Sequence, residues 1–159
     1  MSGKLDVLAA SYPTQELAEQ QWAALRSLVS EQALPLDDLA VLVKDDHGHV
    51  GVAKDLHHPV RKGLVVGAML ALVTPVGLLA GALAGMAGGK LTDVFRPGLT
   101  KGTIKELGDF VENSTVLIVM TGEPAVVAAA RETLTEATGI ISKTIDTDPE
   151  AVRAAADEA

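Results

Sequence analysis

The spacing of apolar positions separates strands from helices along most of the chain. Leu5, Val7, Leu8, Ala9 and Ala10 crowd into Lys4–Tyr12, and Pro13 stops the run, which predicts a strand. From there to Ala33 the spacing is helical, with Thr14 as the N-cap. Leu17, Ala18, Trp22, Leu25, Leu28 and Val29 make one stripe, and Glu16, Glu19, Gln20 and Arg26 lie largely off it. Pro35 ends that unit. Leu39–Lys44 reads as a strand, Asp45-Asp46-His47-Gly48 as a turn, and His49–Leu56 as an alternating strand, so 39–56 is expected to form a β-hairpin.

A second unit follows the same order. Thr115–Thr121 (TVLIVMT) is a buried strand, and Pro124 stands at a helix's first position. Val126, Val127, Ala130, Leu134 and Ala137 continue that helix, with Gly139 as its stop, and Ile140–Ile145 closes as a strand. Lys101–Val111 adds an amphipathic helix, with Thr103 and Glu106 spaced for a capping box. Two β-α-β runs combine into an α+β fold of the ferredoxin-like (split βαβ) kind: an antiparallel sheet with helices on one face. Residues 1–56 and 114–146 would form that discontinuous domain. Residues 57–113 would be an inserted helical hairpin plus the amphipathic helix, and 147–159 an acidic tail, frayed at its end.

The insertion carries the strongest signal. Gly63 to Gly89 is 27 residues without a charge, bounded by Arg61 and Lys62 on one side and Lys90 on the other. On length alone a membrane-spanning helix is allowed, since about 20 apolar residues suffice. Pro75, preceded by Thr74, breaks the run into arms of about 12 and 15–18 residues, roughly 18 Å and 22–27 Å long. Neither comfortably crosses a hydrocarbon layer of about 30 Å. If both flanking halves share one sheet they share one compartment, so the insertion must return as a hairpin folding near Thr74-Pro75. Gly77, Gly81, Gly85 and Gly89 recur every four residues, and Gly63, Gly67 and Ala71 keep that spacing before the proline. Residues four apart share a helix face, so this is a smooth surface for close helix packing. Each helical glycine costs about 1 kcal/mol relative to alanine, which calls for a compensating contact. Arg61, Lys62 and Lys90 would sit at a membrane boundary, where their heads reach lipid headgroups.

Composition narrows the function classes. The chain has 159 residues, 48% of them apolar, with a mean hydropathy of +0.28, high for a protein in water. Its net charge of −8, without a basic cluster, argues against nucleic acid as a partner. The absence of cysteine excludes disulfides, thiolate zinc sites, iron–sulfur clusters and a cysteine nucleophile. No secretion signal is visible in Met1–Asp6 and the residues after it, so the expected location is the cytoplasmic side, at the inner membrane or in solution.

Candidate chemistry is thin. His47, His49, His57 and His58 cluster in sequence, but the two pairs fall at opposite ends of a strand, some 25 Å apart, so one chain cannot join them in a metal site. Asp37-Asp38 and Asp45-Asp46 are adjacent carboxylates at strand ends and turns, where aspartate caps backbone. The run Pro97–Thr103 (PGLTKGT) resembles a phosphate-binding helix start without the P-loop spacing, and a plain helix start accounts for it. Trp22, the only tryptophan, belongs to an apolar stripe and is expected in the core. No catalytic residue, metal or cofactor is expected.

The order of these pieces resembles a known family. An N-terminal βαβ leads into "LPLDDLAVLVKDDHG", a Gly-rich apolar hairpin, "IKELGDFVENSTVLIVM" and a closing αβ. This is similar to the bacterial membrane-protein family filed as domain of unknown function 1269, over roughly Leu5 to Ile145. The resemblance rests on Leu34–Lys44, Gly77–Gly89 and Ile104–Val119. It implies membrane association, a general-stress connection in some members and no established enzyme activity, with no catalytic residues to carry over.

The expectation is a non-enzymatic protein that homo-oligomerises through the glycine face, with itself and a lipid bilayer as partners. A soluble cage, ring or filament with hairpins packed inward is the alternative, since an exposed apolar patch of that size aggregates. A ligand-binding regulatory module is the third, by fold analogy alone.

Overall fold

The computed structural model describes residues 3–30, 36, 38–46, 48–55, 94–148, 150–152 and 154. Among them, β1 (Leu5–Tyr12) leads into α1 (Gln15–Ser30), then β2 (Asp38–Lys44) and β3 (Val50–Asp55). After the uncharged run come a 3-10 turn at Arg96–Gly98, α2 (Lys101–Glu112), β4 (Val116–Gly122), α3 (Pro124–Arg131) and β5 (Gly139–Ile145). The five strands form one sheet in the order β3-β2-β4-β1-β5, and every neighbouring pair is antiparallel. The class is therefore α+β, as the pattern predicts.

Helices cover both faces of this sheet, not one. Ala18, Trp22 and Leu25 of α1, with Val127 and Ala130 of α3, pack on Leu8, Ala10, Leu39, Val41, Ile118 and Met120. On the opposite face Leu107 and Val111 of α2, together with Phe95 and Val152, join Leu5, Val7, Ala9, Leu42, Leu117 and Val119. The reason is visible in β1 and β4. Val7–Ala10 and Val116–Met120 are unbroken apolar runs, and successive strand residues point to opposite faces, so both faces need cover. All seven residues of β4 are buried. The helix α2, expected within the insertion, packs against β1 and β5.

Local chemistry sets the boundaries. Thr14 Oγ1 accepts from the Leu17 N–H at 3.2 Å and starts α1. The helix α2 is capped by Thr100, whose Oγ1 accepts from the Thr103 N–H at 3.1 Å, rather than by the expected Thr103–Glu106 box. Thr103 therefore sits inside the first turn. Pro124 does open α3, but that helix stops at Arg131; turns carry Leu134 back into the core, and Gly139 begins β5 instead of ending a helix. In the hairpin turn Gly48 has φ +79°, and Asp45 Oδ1 accepts from the His49 N–H at 2.9 Å. A register shift between Val41 and Leu42 interrupts the β2–β3 pairing.

The tail begins with the short helix that Asp148-Pro149-Glu150 allows. Glu150 N–H donates to Asp148 Oδ1 at 3.0 Å, residues 150–152 are helical, and Val152 is fully buried.

Candidate functional site

The segment singled out by its sequence leaves the sheet after Asp55 and rejoins the described structure at Val94. Gly63, Gly67, Ala71, Thr74, Pro75, Gly77, Gly81, Gly85 and Gly89, and the boundary residues Arg61, Lys62 and Lys90, lie outside the described residues. The described residues form the platform from which both ends of the segment extend.

That platform is interleaved. Strands from before the segment (β1, β2, β3) and after it (β4, β5) alternate across the sheet, since β4 lies between β2 and β1. Both ends of 56–93 therefore start from one folded body.

The returning end is held on three sides. Phe95 is fully buried beside Ile145 and Val152. Thr147 Oγ1 donates to the Val94 carbonyl at 3.0 Å. Gly98 packs against Asp146, where a Cβ would stand 2.5 Å from the carbonyl oxygen. Burying Phe95 alone is worth about 1.5–3 kcal/mol. Sequence reading missed this anchor. Its signals were one of only two phenylalanines beside a Pro-Gly turn, and an Asp-Pro start four residues before an isolated valine.

A shallow groove of about 600 Å³ runs between α2 and the β1/β5 edge. Phe110 and Ile141 line its apolar part, while Glu106, Asp109, Asn113 and Lys143 supply polar groups. Lys143 pairs with Glu106 and Lys105 with Asp109, the latter at 3.1 Å. The carboxylates are thus matched by lysines along one helix and the strand beside it.

Those of the remaining candidates that are described serve the structure. Trp22 is core: it is 7% exposed, its indole N–H donates to the Leu39 carbonyl at 3.4 Å, and Arg26 stacks 5.6 Å from its ring. His49 lies 3.7 Å from Asp45 in an exposed turn, while His47, His57, His58 and Asp37 lie outside the described residues. Gly102 and Thr100 start a helix. Among the described residues no cluster of three or more His, Asp or Glu side chains is arranged to hold a metal ion. Among the same residues, no helix is long and apolar enough to cross a membrane.

One polar cluster is perturbed. Gln21 bridges Tyr12 and the turn at 135–136: its amide oxygen accepts from Thr135 Oγ1 at 3.0 Å and from the Glu136 N–H at 3.2 Å, and its nitrogen faces the Tyr12 hydroxyl. Burial pushes the Tyr12 phenol well above its usual range, and the Glu136 carboxylate adds to the shift.

No protein-family model matches the chain, and searches among curated proteins and among solved structures return no match either.

Proposed function

We propose that the protein is a non-enzymatic, self-associating protein of the membrane surface, in which the folded domain presents the Gly63–Gly89 segment and receives it back. The observation that carries this reading is the interleaved sheet. Strands preceding and following the segment share one body, so a segment that enters lipid must return on the side it left. A single crossing is incompatible with that arrangement, whereas a re-entrant hairpin turning at Thr74-Pro75 is compatible with it. The buried Phe95 anchor supports the same reading, because it fixes where the returning arm meets the domain.

We read the four strands β2-β4-β1-β5 as a ferredoxin-like sheet to which β3 is added at one edge. In support, β1-α1-β2 and β4-α3-β5 each bracket an antiparallel neighbour, which is the split βαβ arrangement. The resemblance to the family of domain of unknown function 1269 agrees with this order of elements and supplies the membrane and stress connection as expectations. The packing surface would be Gly77, Gly81, Gly85 and Gly89, with Gly63, Gly67 and Ala71 on the other arm. Arg61, Lys62 and Lys90 would meet lipid headgroups on the cytoplasmic side of the inner membrane.

The test is fractionation of cells expressing the full chain, with carbonate washing of membranes and light scattering of whatever is soluble. The expected result is carbonate-resistant pelleting released by detergent. Gly81→Leu and Gly85→Leu should lower the assembly mass in detergent, while Gly48→Ala leaves it unchanged despite strain at φ +79°. A soluble species of large, uniform mass would overturn the membrane part and leave self-assembly. Leucine variants that assemble like the parent would overturn the glycine contact.

A further inference from the structure

Strand β5 forms a regular edge of the described sheet. Among the described residues β5 pairs only with β1. Its register runs from Leu5↔Ile145 to Ser11↔Gly139 without a bulge, in contrast to the shifted β2–β3 pair. Natural sheets protect such edges with proline, bulges or outward lysines, because unpaired N–H and C=O groups invite another strand. Here Gly139–Ile145 contains no proline, and its single charge, Lys143, is folded onto Glu106 of α2 with only 30% of its side chain exposed. Ile140, Ile141 and Thr144 supply β-branched side chains suited to pairing.

We propose that β5 is a self-association surface, pairing antiparallel with β5 of a second copy so that two five-stranded sheets join across a two-fold axis at Ser142. Symmetry favours this occupant, since a strand related to itself by a two-fold axis is antiparallel to its copy. Full overlap of the seven residues puts the middle one, Ser142, opposite itself. A register centred one residue later would set two lysines face to face, which is unfavourable. In the Ser142 register Lys143 lies opposite the partner's Ile141, whose groove is rimmed by acidic side chains equivalent to Glu106 and Asp109. The lysine stem then lies beside isoleucine while its head stays on Glu106 of its own chain. This contact is separate from the glycine packing proposed above.

The chain lacks cysteine, so single thiols report the contact directly. Ser142 and Thr144 are both exposed. Ser142→Cys should cross-link most of the full-length protein as a dimer under mild oxidation. Thr144→Cys should do so at least about tenfold more slowly, because its two copies would stand roughly 13 Å apart, beyond disulfide reach. Ser142→Glu, which sets like charges on the axis, should remove the dimer while Trp22 fluorescence remains that of the folded chain. The Ser142→Cys cross-link should persist in a Gly81→Leu background, where failure of the glycine reading would show separately as unchanged assembly mass. Equal cross-linking at both positions, none at Ser142, or its loss with Gly81→Leu would overturn the proposal.

Discussion

Gly98 rests directly on the backbone of Asp146: a Cβ at Gly98 would stand 2.5 Å from the Asp146 carbonyl oxygen and 2.9 Å from Ile145 Cγ2. The backbone at Gly98 and the end of β5 are thereby pressed together, and no side chain fits between them. Gly98→Ala should destabilise the domain by about 1–3 kcal/mol, the usual cost of overpacking. Gly102→Ala is the matched contrast. Its Cβ would meet nothing closer than Thr100 Oγ1 at 3.9 Å, and alanine is the better helix former by up to about 1 kcal/mol. Urea unfolding followed by the single tryptophan should give opposite signs for the two substitutions.

Val152 closes the same corner from the other side. It is fully buried with Phe95 and Ile145, although it belongs to an acidic, alanine-rich tail. Val152→Ala should cost about 2 kcal/mol, from lost burial plus the cavity left behind. Hydrogen exchange of residues 94–99 should quicken with it more than exchange in α1, on the opposite face of the sheet. Uniform quickening would mean that Val152 stabilises the whole domain without acting locally on the anchor.

Thr121 poses a different question. Its hydroxyl is fully buried at the end of β4 and has no hydrogen-bond partner among the described residues. Such an orphaned group costs about 1–3 kcal/mol. Thr121→Val replaces the hydroxyl with a methyl and should raise stability by about 1 kcal/mol. Thr121→Ser keeps the orphan and removes a buried methyl, so it should lower stability by about 1 kcal/mol. A destabilising valine would mean that the hydroxyl has a partner in solution.

Most of the sheet was legible because its strands are dense in β-branched and aliphatic residues and bounded by proline, glycine and aspartate. Pro13, Thr14, Asp45, Gly48 and Pro124 each act where their backbone chemistry says they should. Two errors share one cause: local signals were read without their tertiary competitors. Thr103 and Glu106 fit a capping box, yet Thr100 is one turn nearer the start and takes the cap. Gly139 fits a helix stop, yet it opens β5, where a Cβ would approach Ser11 Oγ to 3.2 Å and the Phe110 ring to 3.7 Å. The two-sided cover was written in Val7–Ala10 and Val116–Met120, but a ferredoxin-like expectation with helices on one face masked it. The anchor at Phe95, Gly98 and Thr147 was not legible, since it joins residues some fifty positions apart through a backbone carbonyl and the absence of a side chain.

Tyr12 is the only tyrosine, 4% exposed, with its hydroxyl against Gln21 and near Glu136. Burial first, and the Glu136 carboxylate second, favour the neutral phenol and raise its pKa in the folded chain. In the unfolded chain the phenol ionises near its ordinary value of about 10. Below that pH both states hold the proton, and the stability associated with the neutral phenol is fully present. As pH rises through about 10, the unfolded state ionises while the folded state does not, so stability falls with each further step. Absorbance titration should therefore show no tyrosinate near pH 10 while Trp22 fluorescence still reports a folded chain. Tyrosinate should then appear together with alkaline unfolding, and Tyr12→Phe should flatten the stability loss between pH 9 and 11. Ordinary ionisation near pH 10 in the folded protein would mean that the Tyr12 hydroxyl is open to water and that the Gln21 bridge does not hold it.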